Sequence, residues 1–299
     1  MHRFQGIFVP LVTPFIDDGA VAWDALESLA RGVLDAGAAG LVALGTTAEA
    51  ATLDAVERRG VIEVCARVCA ATGAPLIVGA GGNDTRASLA GLVELAAWPQ
   101  VTAALVPVPY YTRPSEAGVV AHYAHLAASS PVPLIVYHIP YRTGRSLSAS
   151  TLREIAALDG VVGVKYAVGG VDTDAVELLA DPPADFAVLA GDDAFLSPLL
   201  ALGAAGGIVA TAQLAPARFV ALENAWRIGD LASARAIGAE LAGVAVTAFA
   251  EPNPTVIKGV LHALGRIPSP AVRLPLLPAA ADSVDRALGA LGAVPVVAR

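Results

Sequence analysis

Between Gly6 and Ile228 the chain alternates eight short, β-rich apolar runs with eight helical patterns, and this alternation constrains the fold more than any other feature. The expected strands cover residues 6–12, 40–44, 75–79, 102–106, 133–137, 161–165, 186–190 and 206–210. Most are continuously apolar, as strands covered on both faces should be. The helical patterns cover residues 23–35, 54–71, 85–97, 115–128, 148–157, 172–179, 193–202 and 216–228, with Ser115, Ser148 and Asp172 standing where N-caps belong. Eight consecutive βα units predict an α/β fold, a (β/α)8 TIM barrel. An open doubly wound sheet is the alternative, but the first βα connection, residues 13–19, lacks its glycine-rich turn. We expect residues 1–229 to form the barrel and carry the active site. Residues 230–299, broken by Pro252, Pro254, Pro268, Pro270 and Pro275, read as a C-terminal helical extension packed on it.

With 56% apolar and 15% charged residues, the 299-residue chain can fill a large core. Its net charge of −8 is spread along the sequence, which argues against nucleic-acid partners and against a polybasic membrane anchor. The mean hydropathy of +0.63 raises the question of a membrane span. The longest uncharged stretch, residues 194–217, is long enough to cross a bilayer. Yet Pro198, Gly203, Gly206, Gly207, Gln213 and Pro216 suit a short helix, a turn and a strand. The amino terminus lacks the charged and apolar regions of a signal peptide. Cys65 and Cys69 lie four apart on one helical face with no second pair to complete a metal site, so we expect free, buried thiols in a reducing cytoplasm.

Active sites of such barrels lie at the C-terminal ends of the strands, so polar residues there carry the chemistry. Lys165 is the strongest signal. The chain has two lysines beside seventeen arginines, and this one closes the apolar run 161–164. A primary amine can lose its proton where a guanidinium cannot, and a neutral amine attacks a carbonyl to form a Schiff base. A lysine paired with a carboxylate for structural reasons is the competing reading; Lys258, in the extension, is read that way. Gly45-Thr46-Thr47 offers converging N–H groups and two hydroxyls to a carboxylate, although it is also simply a strand-to-helix turn. Tyr137 ends the strand before that of Lys165 and could shuttle a proton, or merely cover the core. Arg142, in a polar loop five residues on, suits a substrate carboxylate or a surface ion pair. His122 and His125 have no third ligand, so no metal is expected; no Gly-x-Ser-x-Gly elbow marks a hydrolase.

Together these residues resemble the dihydrodipicolinate synthase / N-acetylneuraminate lyase family of pyruvate-dependent class I lyases. The likeness runs from Gly6-Ile7-Phe8-Val9-Pro10 through Gly45-Thr46-Thr47-Ala48-Glu49, Gly79-Ala80-Gly81-Gly82-Asn83 and Pro109-Tyr110-Tyr111. It continues through Tyr137-His138-Ile139-Pro140, Gly163-Val164-Lys165 and Gly191-Asp192-Asp193 to Arg273-Leu274-Pro275-Leu276. The resemblance implies that Lys165 forms the Schiff base and Tyr137 gives and takes the proton. Thr46 and Tyr111 would complete a relay, Tyr111 reaching in from a neighbouring subunit. Thr47 and the backbone of Ile208 would hold pyruvate, with Gly45 shaping the turn, and Arg142 would bind the carboxylate of aspartate semialdehyde in the synthase branch. It also implies a homotetramer, a dimer of dimers, needing neither metal nor cofactor.

Four positions depart from the family pattern: Ala48 for glycine, His138 for asparagine, Tyr166 for an acidic residue and Gln213 for asparagine. We expect them to crowd the pocket and to bear on the second substrate. The synthase reading therefore stands beside an aldolase or dehydratase of a 2-oxo-3-deoxy sugar acid, and beside a non-catalytic barrel that only binds a keto acid.

Overall fold

The computed structural model describes residues 4–294. Met1, His2 and Arg3 of the amino-terminal stretch and the last five residues of the expected extension lie outside them. Eight strands pair in chain order as a closed barrel. They are β1 (Gly6–Pro10), β2 (Gly40–Ala43), β3 (Leu76–Gly79), β4 (Val101–Pro107), β5 (Leu134–His138), β6 (Val161–Tyr166), β7 (Ala187–Ala190) and β8 (Gly206–Ile208). All eight expected strands exist. Contacts group the described residues into two compact units, one of residues 4–6 and 77–208, the other of residues 7–76 and 209–294.

In the first unit β4 to β8 pair in parallel, with Pro107 opposite Tyr137 and Tyr137 opposite Lys165. Their apolar residues are almost wholly buried, Leu134, Ile135, Val136 and Val164 among them, each contributing about 1.5–3 kcal/mol through removal from water. Ser115, Ser148 and Asp172 cap the helices Glu116–Ala127, Ala149–Ala156 and Thr173–Ala180, each side chain accepting from an N–H of the first turn. Gly206, at φ +156°, passes so close to Gly6 that a β-carbon there would meet the Gly6 carbonyl.

Two helical patterns end differently from expectation. Residues 85–97 form the helix Thr85–Glu94 and then a 3-10 turn, Leu95–Ala97, because Pro99 holds Trp98 extended. Residues 193–202 open as a 3-10 turn, Asp193–Phe195, before the helix Leu196–Ala201. Pro198 has no N–H for the carbonyl four residues earlier, so an α-helical first turn is unavailable. The uncharged stretch 194–217 thus contains a short helix, a strand and a turn, as its prolines and glycines require.

In the second unit β1 and β2 pair from Phe8↔Gly40 to Pro10↔Val42. The β1 ladder stops two residues short of expectation because the Val12 N–H goes to a side chain, Gln213 Oε1, at 2.8 Å. Trp23–Asp35 buries Leu26, Leu29, Ala30 and Val33 on one stripe. Ala55–Thr72 opens with a reciprocal capping box between Asp54 and Glu57. The carboxy-terminal part is helical, as expected: Leu231–Ala248, Thr255–Ala263 and Ala281–Gly292 follow Pro216–Ile228. Leu231–Ala248 is the one helix among the described residues long and apolar enough to cross a membrane. It packs against Pro216–Ile228 and Ala281–Gly292, burying Ile237, Leu241 and Val244.

Candidate active site

Strand register brings the two central residues together. Tyr137 and Lys165 are Cα partners near the C-terminal ends of β5 and β6. Lys165 Nζ lies 4.4 Å from the centre of the Tyr137 ring. Both side chains are buried, at 7% and 9% exposure for Lys165 and Tyr137. No described carboxylate pairs with Lys165, in contrast with the alternative read from the sequence. Gly191 makes room for this lysine: a β-carbon there would lie 2.8 Å from Lys165 Cγ and 2.7 Å from Ala167 Cβ.

Each strand runs one residue further than expected, to His138 and Tyr166, which are themselves Cα partners. Side chains alternate along a strand, so His138 and Tyr166 face away from the Lys165–Tyr137 side. Their rings meet edge to face at 5.4 Å, and Tyr166 donates its hydroxyl to Asp172 Oδ1 at 2.6 Å. Burial pushes the Tyr166 phenol up, and the carboxylate beside it adds to the shift. Burial also lowers His138 to about 4, against the pull of Asp172, Asp174 and Glu116. Expecting these two departures to crowd the pocket was wrong, because strand periodicity turns them to the other face. Gln213 is accounted for by its longer amide, which takes the Val12 N–H. Ala48, 1% exposed, offers its carbonyl to Thr13 Oγ1 at 2.8 Å.

Gly45-Thr46-Thr47 leaves β2 as a 3-10 turn, Thr46–Ala48. The first N–H groups of such a turn have no partner within it, which suits an anion. Gly45 is extended, whereas Leu44 and Glu49, on either side of the turn, adopt left-handed φ values of 54° and 53°. Two contacts on Glu49 hold the turn, and a third reaches the Thr47 hydroxyl. Lys258 Nζ meets Glu49 Oε1 at 2.5 Å, the Arg273 N–H donates to Glu49 Oε2 at 2.8 Å, and Asn253 Nδ2 donates to Thr47 Oγ1 at 3.0 Å. Arg273 also grips Glu57 and donates to the Gly19 carbonyl.

Tyr111 protrudes. It is 87% exposed and sits at φ +67° inside a γ-turn closed by Thr112 N–H to the Tyr110 carbonyl, at 2.7 Å. Arg142 lies in a one-turn helix, Pro140–Thr143, rather than the expected loop, and among the described residues its guanidinium makes no hydrogen bond or ion pair. Its nearest ring, Tyr141, donates its hydroxyl to Asp192, which also accepts from the Gly169 N–H. Ile208 ends β8, fully buried. His122, against Tyr123, shares a hydrogen with Thr85 at 2.8 Å. The described residues hold no cluster of three His, Cys, Asp or Glu side chains fit for a metal. Cys65 and Cys69 are free and buried; burial pushes the Cys69 thiol up to about 12.

A model of the dihydrodipicolinate synthetase family matches residues 3–292. The chain belongs to that family. It is similar to 4-hydroxy-tetrahydrodipicolinate synthase 2 of Clostridium acetobutylicum, with 37% identity over 92% of this chain and 95% of that protein. Among solved structures, the dihydrodipicolinate synthase of Thermotoga maritima superposes with a TM-score of 0.93 at 30% identity, over 97% of this chain and 98% of the other. The chloride-inhibited dihydrodipicolinate synthase of Acinetobacter baumannii, complexed with pyruvate, gives 0.91 at 34%, over 97% and 99%. Family membership also fixes the architecture, a (β/α)8 barrel with carboxy-terminal helices.

Sequence reasoning missed Asn253, and no local signal marks it. It read Lys258 as structural, in keeping with the buried ion pair now seen.

Proposed function

We propose that the chain is a 4-hydroxy-tetrahydrodipicolinate synthase, a class I lyase that condenses pyruvate with aspartate semialdehyde. The observation that carries this reading is the buried, unpaired Lys165 ammonium or amine held over the Tyr137 ring in a member of this family. Neutral Lys165 attacks the C2 carbonyl of pyruvate, and loss of water leaves an imine. Removal of a C3 proton then gives the enamine that attacks the aldehyde. Tyr137 moves the protons, with Thr46 and Tyr111 as its relay. Thr47, the Gly45 turn and the Ile208 backbone hold the pyruvate carboxylate; Arg142, with an unengaged planar fork, takes the carboxylate of the semialdehyde.

The exposed, strained tip at Tyr111 supports an assembly in which this residue serves a neighbouring copy, a homotetramer by family expectation. Two free, buried thiols suit a cytoplasmic location.

Borohydride trapping with pyruvate, followed by peptide mapping, tests the nucleophile. The adduct should fall on Lys165, and Lys165→Arg should give none. A label on Lys258, or no label, would overturn the mechanism. Kinetics on aspartate semialdehyde beside a panel of 2-oxo-3-deoxy acids tests the substrate. Arg142→Ala should raise the requirement for the semialdehyde steeply while trapping persists. If the wild type ignores the semialdehyde but cleaves or dehydrates a panel member, the aldolase or dehydratase reading replaces the synthase one.

A further inference from the structure

Thr47 carries one contact that the shape of its turn does not require. Asn253, 206 residues later, donates Nδ2 to Thr47 Oγ1 at 3.0 Å. The backbone of the turn is held by other groups: Thr13 on the Ala48 carbonyl, and Lys258 and the Arg273 N–H on Glu49. Asn253 therefore reaches the turn through the hydroxyl alone. Its other amide atom, Oδ1, is buried without a partner. A buried polar atom without a protein partner costs free energy that packing alone does not explain.

A hydroxyl has one proton to give and lone pairs to receive. The Asn253 N–H occupies a lone pair of Thr47, and no described residue accepts the Thr47 proton. We propose that Asn253 is a positioning residue that sets the polarity of Thr47, fixing it as an acceptor toward the protein and hence as a donor toward the substrate carboxylate. This rests on the reading of Thr47 as a pyruvate-holding group. A carboxylate can only accept, so a threonine turned to donate elsewhere would offer it a lone pair in place of a proton. Aspartate at 253 would do that: nearly the same shape, no N–H to give, and a strong acceptor for the Thr47 proton.

The test compares wild type, Asn253→Asp and Asn253→Ala, using borohydride trapping on pyruvate and on its uncharged methyl ester, steady-state kinetics and thermal unfolding. Asn253→Asp should raise half-saturating pyruvate by about tenfold or more, the loss of one hydrogen bond to a charged group. Its preference for pyruvate over the ester should shrink, while kcat at saturation falls less than KM rises. Asn253→Ala should shift in the same direction by less, and it answers the question if the aspartate variant does not fold. Wild-type half-saturation in both variants would overturn the proposal. So would equal loss of pyruvate and ester, which marks a structural role. Trapping by wild type with unchanged variants sinks this inference alone; no trapping by wild type sinks the proposed function and this inference with it.

Discussion

Lys258 Nζ lies 2.5 Å from Glu49 Oε1, and neither side chain reaches solvent. The same ammonium donates to the Ala271 carbonyl at 2.8 Å and stands 3.9 Å from the centre of the Phe15 ring. Burial draws its pKa down to about 8, with Glu49 restoring part of the loss. The chain's two lysines thus have opposite surroundings. One is paired and locks the left-handed residue that follows Ala48; the other has no carboxylate beside it.

Breaking that pair should cost far more stability than a surface change. Lys258→Met leaves Glu49 charged and buried, and should lower unfolding free energy by about 3–5 kcal/mol. Lys258→Met combined with Glu49→Gln should recover much of the loss, since the amide still accepts from the Arg273 N–H. Urea unfolding of both variants measures this. A single variant as stable as wild type would show that the pair is not holding the turn.

Gly191 should prove intolerant of a side chain. In Gly191→Ala the new methyl collides with Lys165 Cγ and Ala167 Cβ, and the lysine must leave its place over Tyr137. Borohydride trapping of pyruvate should drop sharply while circular dichroism keeps the barrel signature. Normal trapping would mean that Lys165 adapts at no cost.

His138 gives the protein a weakness to acid. Its folded pKa of about 4 lies below the ordinary 6.5, because burial disfavours the imidazolium. Above pH 6.5 neither state binds the proton and this stability is fully present. As pH falls from 6.5 toward 4, the unfolded chain takes up a proton that the folded chain refuses, and stability declines. His122, also lowered to about 4 by burial, acts in the same direction. His138→Asn should flatten this acid limb when melting temperature is followed from pH 7 to pH 4. An unchanged slope would assign the acid sensitivity to other groups.

Tyr137→Phe should keep the fold and slow turnover by roughly two to four orders of magnitude, the range for a general acid–base. Trapping of pyruvate should suffer less than the full cycle if the phenol also serves later steps. Near-normal turnover would reduce Tyr137 to a packing residue.

The fold was legible because its signal is repeated and local. Apolar runs, most of them continuous, marked all eight strands, and Ser115, Ser148 and Asp172 announced their helices within three residues. Lys165 stood out chemically, as one of two lysines beside seventeen arginines and the one that closes an apolar strand. What escaped was either non-local or conformational. Asn253 reaches Thr47 and Lys258 reaches Glu49 across more than two hundred residues, so no spacing rule finds them. Leu44, Glu49 and Tyr111 take positive φ without being glycine, a geometry that composition does not reveal. Period-two alternation did contain the answer for His138 and Tyr166, since each follows an inward-facing neighbour by one residue.

The spacing of the long-range contacts on the Gly45-Thr46-Thr47 turn and Glu49 also fixes when they can be made during synthesis. The turn leaves the ribosome early, yet Asn253, Lys258 and Arg273 follow it by 206, 209 and 224 residues when counted to Thr47 and Glu49. Closing loops of that length is a late event in folding. A nascent chain that stops before Asn253 would carry the Gly45-Thr46-Thr47 turn without any of these three contacts. A loop of more than two hundred residues must therefore close before Glu49 and Thr47 gain these partners.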